Sequence, residues 1–155
     1  MSAPAVDLLL AEGQPADAEL ILLSLAEHVA ETQVHVAQDG EEALDFLFCR
    51  GSHAARRFDS PPRVVLLGVN LPKVDGLEVL SELKRDPRTR AIPVVLLTSS
   101  RQEQDMAVAY RLGVNSYVQK PVDFLQFRET MKRLALFWLQ VDQAPPTSAF
   151  RGNSP

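Results

Sequence analysis

Four stretches of this sequence hold residues able to do chemistry, and each follows an apolar run: Glu12-Gly13, Gly68-Val69-Asn70, Thr98-Ser99-Ser100 and Lys120-Pro121. Together they offer a carboxylate, hydroxyls and an amine, the side chains of a polar site. In an open parallel α/β sheet such a site lies just beyond the carboxyl ends of the strands. The position that should face it is the last residue of the most apolar run, Val64-Val65-Leu66-Leu67-Gly68. That residue is glycine, which has no side chain with which to react.

The elements that would bring these stretches together can be read from periodicity. The run ending at Gly68 is β-branched and leucine-rich without alternation, as expected of a strand buried on both faces of a parallel sheet. Four further strands are predicted at Val6 to Ala11, Gln33 to Ala37, Ile92 to Thr98 and Asn115 to Gln119. Apolar residues at helical spacing predict helices over Ala16 to Ala30, Glu41 to Cys49, Leu77 to Arg85, Arg101 to Leu112 and Val122 to Val141, with Pro15 suited to a first helical turn and Gly113 to a C-cap. Five strands alternating with five helices give an α/β fold, a doubly wound (βα)5 flavodoxin-like three-layer sandwich. Residues 1–142 form one domain in this reading, and the Pro/Ser/Asn-rich segment 143–155 is expected to be a disordered tail. Residues 50–62 read as a long exposed loop, either a solvated insertion or, through Arg50, Arg56 and Arg57, a basic surface for an acidic partner.

Bulk properties narrow the function classes. With 155 residues and 46% hydrophobic content, one core is the expectation; a net charge of −4 gives no reason to expect nucleic acid or an anionic membrane as partner. No apolar run approaches the roughly 18 residues of a membrane span. Cys49 is the single cysteine, so no internal disulfide forms, which fits a cytoplasmic protein; it is expected to be a small buried apolar residue. The last helix is apolar on one stripe through Phe124, Phe127, Met131, Leu134 and Trp138, and nearly all round at Leu136, Phe137, Trp138 and Leu139. The surplus predicts a homodimer through that end.

The segments Asn70-Leu71-Pro72-Lys73-Val74-Asp75-Gly76, Thr98-Ser99 and Lys120-Pro121, each at the end of a predicted strand, resemble the response-regulator receiver domain of two-component (phosphorelay) signalling. The likeness runs from Leu8 to about Leu139. The long 50–62 loop and the Phe137-Trp138-Leu139 ending further resemble single-domain regulators of bacterial phytochrome kinases. The resemblance implies strand order 2-1-3-4-5 and phosphoryl transfer from a kinase histidine to an aspartate ending the third strand, with Mg²⁺ held by acids after the first strand. It assigns Glu12 to the first acid, Asn70 to a backbone carbonyl on the metal, Thr98 to the switch hydroxyl, Tyr117 to the switch aromatic and Lys120 to the phosphate-binding lysine.

Two positions depart from the pattern. Gly13 stands where the second acid belongs and Gly68 where the phosphoacceptor belongs. Glycine has no nucleophilic oxygen, so no acyl phosphate forms there, and one carboxylate of three leaves Mg²⁺ unlikely to bind. Lys120, lacking its partner, is expected to turn to Glu12. Asp75 is read as a turn residue rather than a substitute acceptor. Glycine at a strand end ordinarily marks a required backbone conformation, and loss of both acids also relieves repulsion. Thr98 is as well suited to satisfying backbone groups, Lys120 to a structural ion pair and Tyr117 to packing. The expectation is a non-enzymatic pseudo-receiver that binds a sensor histidine kinase, with a bacterial phytochrome as the candidate. The alternatives are a conventional phospho-accepting regulator seen as an acceptor-less mutant, or a small-molecule or flavin binder on a flavodoxin-like sheet. No output domain is expected after residue 142.

Overall fold

A computed structural model describes residues 5–98, 103–121 and 123–151; Ser99, Ser100 and Val122 therefore lie outside the described residues, and the side chains of Glu31, Glu103 and Gln104 are not described. Strands β1 (Leu8–Ala11), β2 (Val34–Ala37), β3 (Val64–Gly68), β4 (Val94–Thr98) and β5 (Ser116–Gln119) alternate with helices α1 (Pro15–Leu25), α2 (Gly40–Leu47), α3 (Gly76–Arg85), α4 (Glu103–Leu112) and α5 (Phe124–Leu136). All four strand pairings are parallel and the order is 2-1-3-4-5, as the resemblance implies. Every residue of β1, β3 and β4 is buried, which is why those strands lack alternation. Leu9, Val65, Leu67 and Leu96 face one apolar layer with α2 and α3, while Leu8, Leu10, Val64 and Leu66 face a second with α1 and α5. The register sets Ala11, Leu67 and Leu96 side by side, so that Glu12, Gly68 and Thr98 emerge along one edge.

Local chemistry sets the helix boundaries. Pro15 opens α1 at a position whose N–H would be unpaired anyway. Asp39, Asp75 and Asp123 cap α2, α3 and α5 by accepting from Glu42, Leu77 and Leu125 amides. Helix α1 ends at Leu25, short of Ala30, because His28 and Val29 both donate to the Leu25 carbonyl and close the turn. The turn between β3 and α3 requires Gly76: a Cβ there would lie 2.1 Å from the Gly68 carbonyl oxygen and 2.8 Å from that of Val69.

Three expectations are corrected. Residues 143–151 are not a disordered tail; Thr147–Phe150 form a short 3-10 turn and Phe150 is only 3% exposed, within the same apolar layer as Phe46 and Leu47. One aromatic anchor outweighs the polar composition around it. Arg63 secures the approach, its guanidinium donating to the Leu139 carbonyl at 2.6 Å and the Asp142 carbonyl at 3.0 Å. Loop 50–62 is also not a free basic surface. Arg56 lies 3.6 Å over the Phe46 ring and donates to the Phe46 and Ser60 carbonyls, and Arg50 and Arg57 pair with Asp45 and Asp59. The planar guanidinium covers an aromatic face while keeping its donors satisfied. Cys49 is half-buried rather than buried, in a positive-φ conformation at 53°, and burial pushes its thiol up from the ordinary value.

The last predicted helix is continuous to Val141 but changes form. After Leu136 the chain widens into a π turn over Phe137–Val141, closed by the Asp142 amide on the Phe137 carbonyl at 2.6 Å. Trp138, on the same helical stripe as Phe127, Met131 and Leu134, is 9% exposed within the second apolar layer. Trp138 therefore does not belong to the predicted free interface. Phe137 remains 47% exposed with its ring set edge-on to Trp138, while Leu136 and Leu139 are half-buried.

Candidate functional site

The carboxyl edge of the sheet encloses a cleft of ≈ 180 Å³ lined by Glu12, Asp17, Gly68, Asn70, Thr98 and Lys120, among others. Glu12 follows β1 directly, its amide still bonded to the Ala37 carbonyl of β2, and the residue is 6% exposed. Lys120 follows β5 with its amide on the Thr98 carbonyl at 2.7 Å, and its side chain reaches across the edge. Its Nζ lies 3.2 Å from Glu12 Oε1 and 3.4 Å from Asp17 Oδ2. The expected turn of Lys120 toward Glu12 is present. Burial pushes the Glu12 carboxyl up from its ordinary value, more than the Lys120 ammonium beside it pulls it down, and the negative charge of Asp17 adds to the rise.

Asp17 was not singled out from the sequence. Its signal was there: Pro15 opens α1, so an acid two residues later sits in the first helical turn, close to the strand end from which the chain has just come. The geometry that brings it to Lys120 is tertiary, since β1 and β5 are separated in the sheet by β3 and β4.

Gly68 ends β3 beside this ion pair. Among the described glycines, only Gly51 and Gly113 take positive φ, so neither Gly68 nor Gly13 is required by backbone conformation. The expectation of a conformational need is corrected. A Cβ at position 68 would lie 2.8 Å from Glu12 Oε2 and 3.2 Å from the Ala11 carbonyl oxygen, so the Glu12 carboxyl fills the space a side chain would claim. A Cβ at Gly13 would meet Pro72 Cδ at 2.6 Å. Asn70 is exposed two residues beyond β3. Asp75 is absent from the cleft lining and is an exposed N-cap, in keeping with a turn role.

Thr98, 5% exposed at the end of β4, shares a side-chain hydrogen bond with the Tyr117 phenol on β5. Burial raises the Tyr117 ionisation above its ordinary value, the negative charge of Asp105 adds to this, and the Thr98 bond offsets part of it. Tyr117 also packs against the first apolar layer. Of the five residues placed by resemblance, Glu12, Asn70, Thr98 and Lys120 line the cleft together with Asp17, while Tyr117 lies outside its lining.

A family model for the response regulator receiver domain matches residues 8–132, most of the chain. The chain belongs to the response-regulator receiver family. Among curated relatives, this receiver is 41% identical to the probable methanogenesis regulatory protein FilR2 of Methanothrix harundinacea over 89% of its own length and 86% of that protein. It is 35% identical to the response regulator Rcp1 of Synechocystis, over 93% of this receiver and 96% of Rcp1. The crystal structure of the Mn(2+)-bound form of Rcp1 superposes with a TM-score of 0.82 at 34% identity, covering 92% and 99% of the two chains. The bacteriophytochrome response regulator AtBRR is 48% identical with a TM-score of 0.69, over 90% of this receiver and all of that chain. The receiver is accordingly a two-component signalling module homologous to phytochrome response regulators. Among the described residues no helix is long and apolar enough to cross a membrane.

Proposed function

We propose that this receiver acts by binding a protein partner and does not accept a phosphoryl group at position 68. The supporting observation is the Glu12–Lys120–Asp17 ion pair beside a glycine. An acyl phosphate needs a carboxylate oxygen, and Gly68 supplies none. The ammonium that would meet a bound phosphoryl group is already neutralised by two carboxylates. With no acceptor the receiver has no phosphate to turn over, and it is a binding module rather than an enzyme.

The same pair speaks against a resident Mg²⁺. That ion is held by carboxylate oxygens and waters in near-octahedral array. Here both carboxylates of the cleft point at a lysine. This donor set does not fit the ion while Lys120 stands where it does, and no step is assigned to it. A flavin-sized ligand is equally ill suited, since ≈ 180 Å³ falls below the roughly 300 Å³ at which small-molecule sites begin.

The partner is a sensor histidine kinase of the bacterial phytochrome class, a reading supported by the likeness to AtBRR. The receiver would occupy the kinase's docking surface or carry a phosphate-independent signal, as a homodimer joined through Leu136, Phe137 and Leu139. Exposure of Phe137 supports that face. The deciding experiment is phosphotransfer from a labelled, autophosphorylated phytochrome kinase with Mg²⁺. The wild type is expected to remain unlabelled while retaining kinase binding, and the Gly13→Asp/Gly68→Asp variant to take label. Label on the wild type would overturn the proposal.

A further inference from the structure

Away from the cleft, at the opposite side of β2, one group of three potential metal ligands occurs among the described residues: His35, Glu42 and His53. Three separate elements deliver them. His35 is in β2, Glu42 in the first turn of α2, and His53 in the 3-10 turn Gly51–His53. One ligand atom from each lies within 4.8 Å of the other two, and His35 Nε2 is 3.3 Å from Glu42 Oε1. Ligand atoms around a tetrahedral ion bound at about 2.0–2.1 Å are themselves separated by about 3.3 Å. One edge of that tetrahedron is therefore already formed, and a shift of the His53 turn completes a face.

The surroundings hold these groups as a ligand set is held. The His35 ring stacks on Phe46 with centroids 4.6 Å apart and planes 8° from parallel, which fixes its direction. The His53 ring stands edge-on to both, at 5.0 Å from His35 and 5.1 Å from Phe46. Glu42 uses Oε2 to accept from the Gln38 amide at 3.1 Å, so Oε1 is left facing the histidines. This outer bond does for the carboxylate what second-shell partners do in metal sites. All three residues are half-buried, leaving solvent access for a fourth ligand. Arg56 over Phe46 opposes a nearby cation, and the Asp45 carboxylate counters it.

We propose that His35, Glu42 and His53 bind a divalent transition ion of the zinc class, with water in the fourth position, pinning loop 50–62 to the edge of the sheet. Two imidazoles and one carboxylate suit Zn²⁺ and exclude the oxygen-seeking Mg²⁺ of the receiver cleft. The site is independent of the phosphate chemistry.

The test uses tag-free full-length protein, stripped with chelator and titrated with Co²⁺, followed by Zn²⁺ displacement and calorimetry. One ion per chain is expected, with the intense visible bands of four-coordinate Co²⁺ and a rise in melting temperature on adding Zn²⁺. His53→Ala and Glu42→Gln should each weaken Zn²⁺ at least about tenfold and cancel the thermal shift, whereas Cys49→Ser should change neither. His53 is on a surface turn, so its variant reports binding even if Glu42→Gln loosens α2. Absence of Zn²⁺ binding, binding untouched by both ligand variants, or binding lost with Cys49→Ser would overturn the assignment.

Discussion

Gly68 and Gly76 close the two ends of one loop, yet the fold treats them oppositely. At Gly76 a single added carbon would collide with the backbone of Gly68 and Val69. At Gly68 φ is not positive, and an added carbon would meet first the tip of the Glu12 side chain at 2.8 Å and then the Ala11 carbonyl at 3.2 Å. Architecture demands the glycine at 76; it does not demand the one at 68, which lines the polar cleft. Phe137 and Trp138 form a second such pair, adjacent in sequence but one ring exposed and the other buried. In both pairs residue type alone does not reveal the role.

The widest separation is expected between the glycines. Gly76→Ala should cost about 3 kcal/mol, because backbone must move to admit the methyl, and lower the melting temperature by roughly 6–12 °C. Gly68→Ala should stay within about 1 kcal/mol of wild type, since a side-chain tip can give way. Equal losses in thermal melts would erase the distinction.

Trp138→Ala should destabilise the monomer by about 3 kcal/mol through the cavity it leaves. Phe137→Ser should leave denaturant stability within about 0.5 kcal/mol while shifting light-scattering mass from dimer to monomer. A monomeric wild type would remove the proposed interface without touching the first half of the comparison.

A smaller effect tests the electrostatics of the cleft. Glu12 titrates higher folded than unfolded, so the folded chain binds more protons between the ordinary value of 4.5 and the raised one. Its contribution is present below 4.5 and is lost as pH rises through the folded value. Glu12→Gln should flatten urea-midpoint curves across that window; an unchanged slope would mean that Lys120 compensates the buried charge fully.

Much of this was legible because strands buried on both faces must be continuously apolar, and helices half-buried must be periodic. Strand count, helix count and the edge positions of Glu12, Thr98 and Lys120 all followed from that and from the family likeness. Asp17 escaped because an acid in a first helical turn is ordinary until a lysine from another strand is set beside it. Phe150 and Arg56 escaped because polar loops conceal single anchors whose partners are distant in the chain.

By itself the sequence determined what position 68 is unable to do, since the absence of an oxygen is a covalent fact that no packing alters. Only the tertiary structure decided what the neighbouring groups do instead. Lys120 meets Glu12 and Asp17, Arg56 covers the Phe46 ring, and His35, Glu42 and His53 gather at one corner, because each arrangement joins residues from separate elements whose spacing exists only after the sheet has formed.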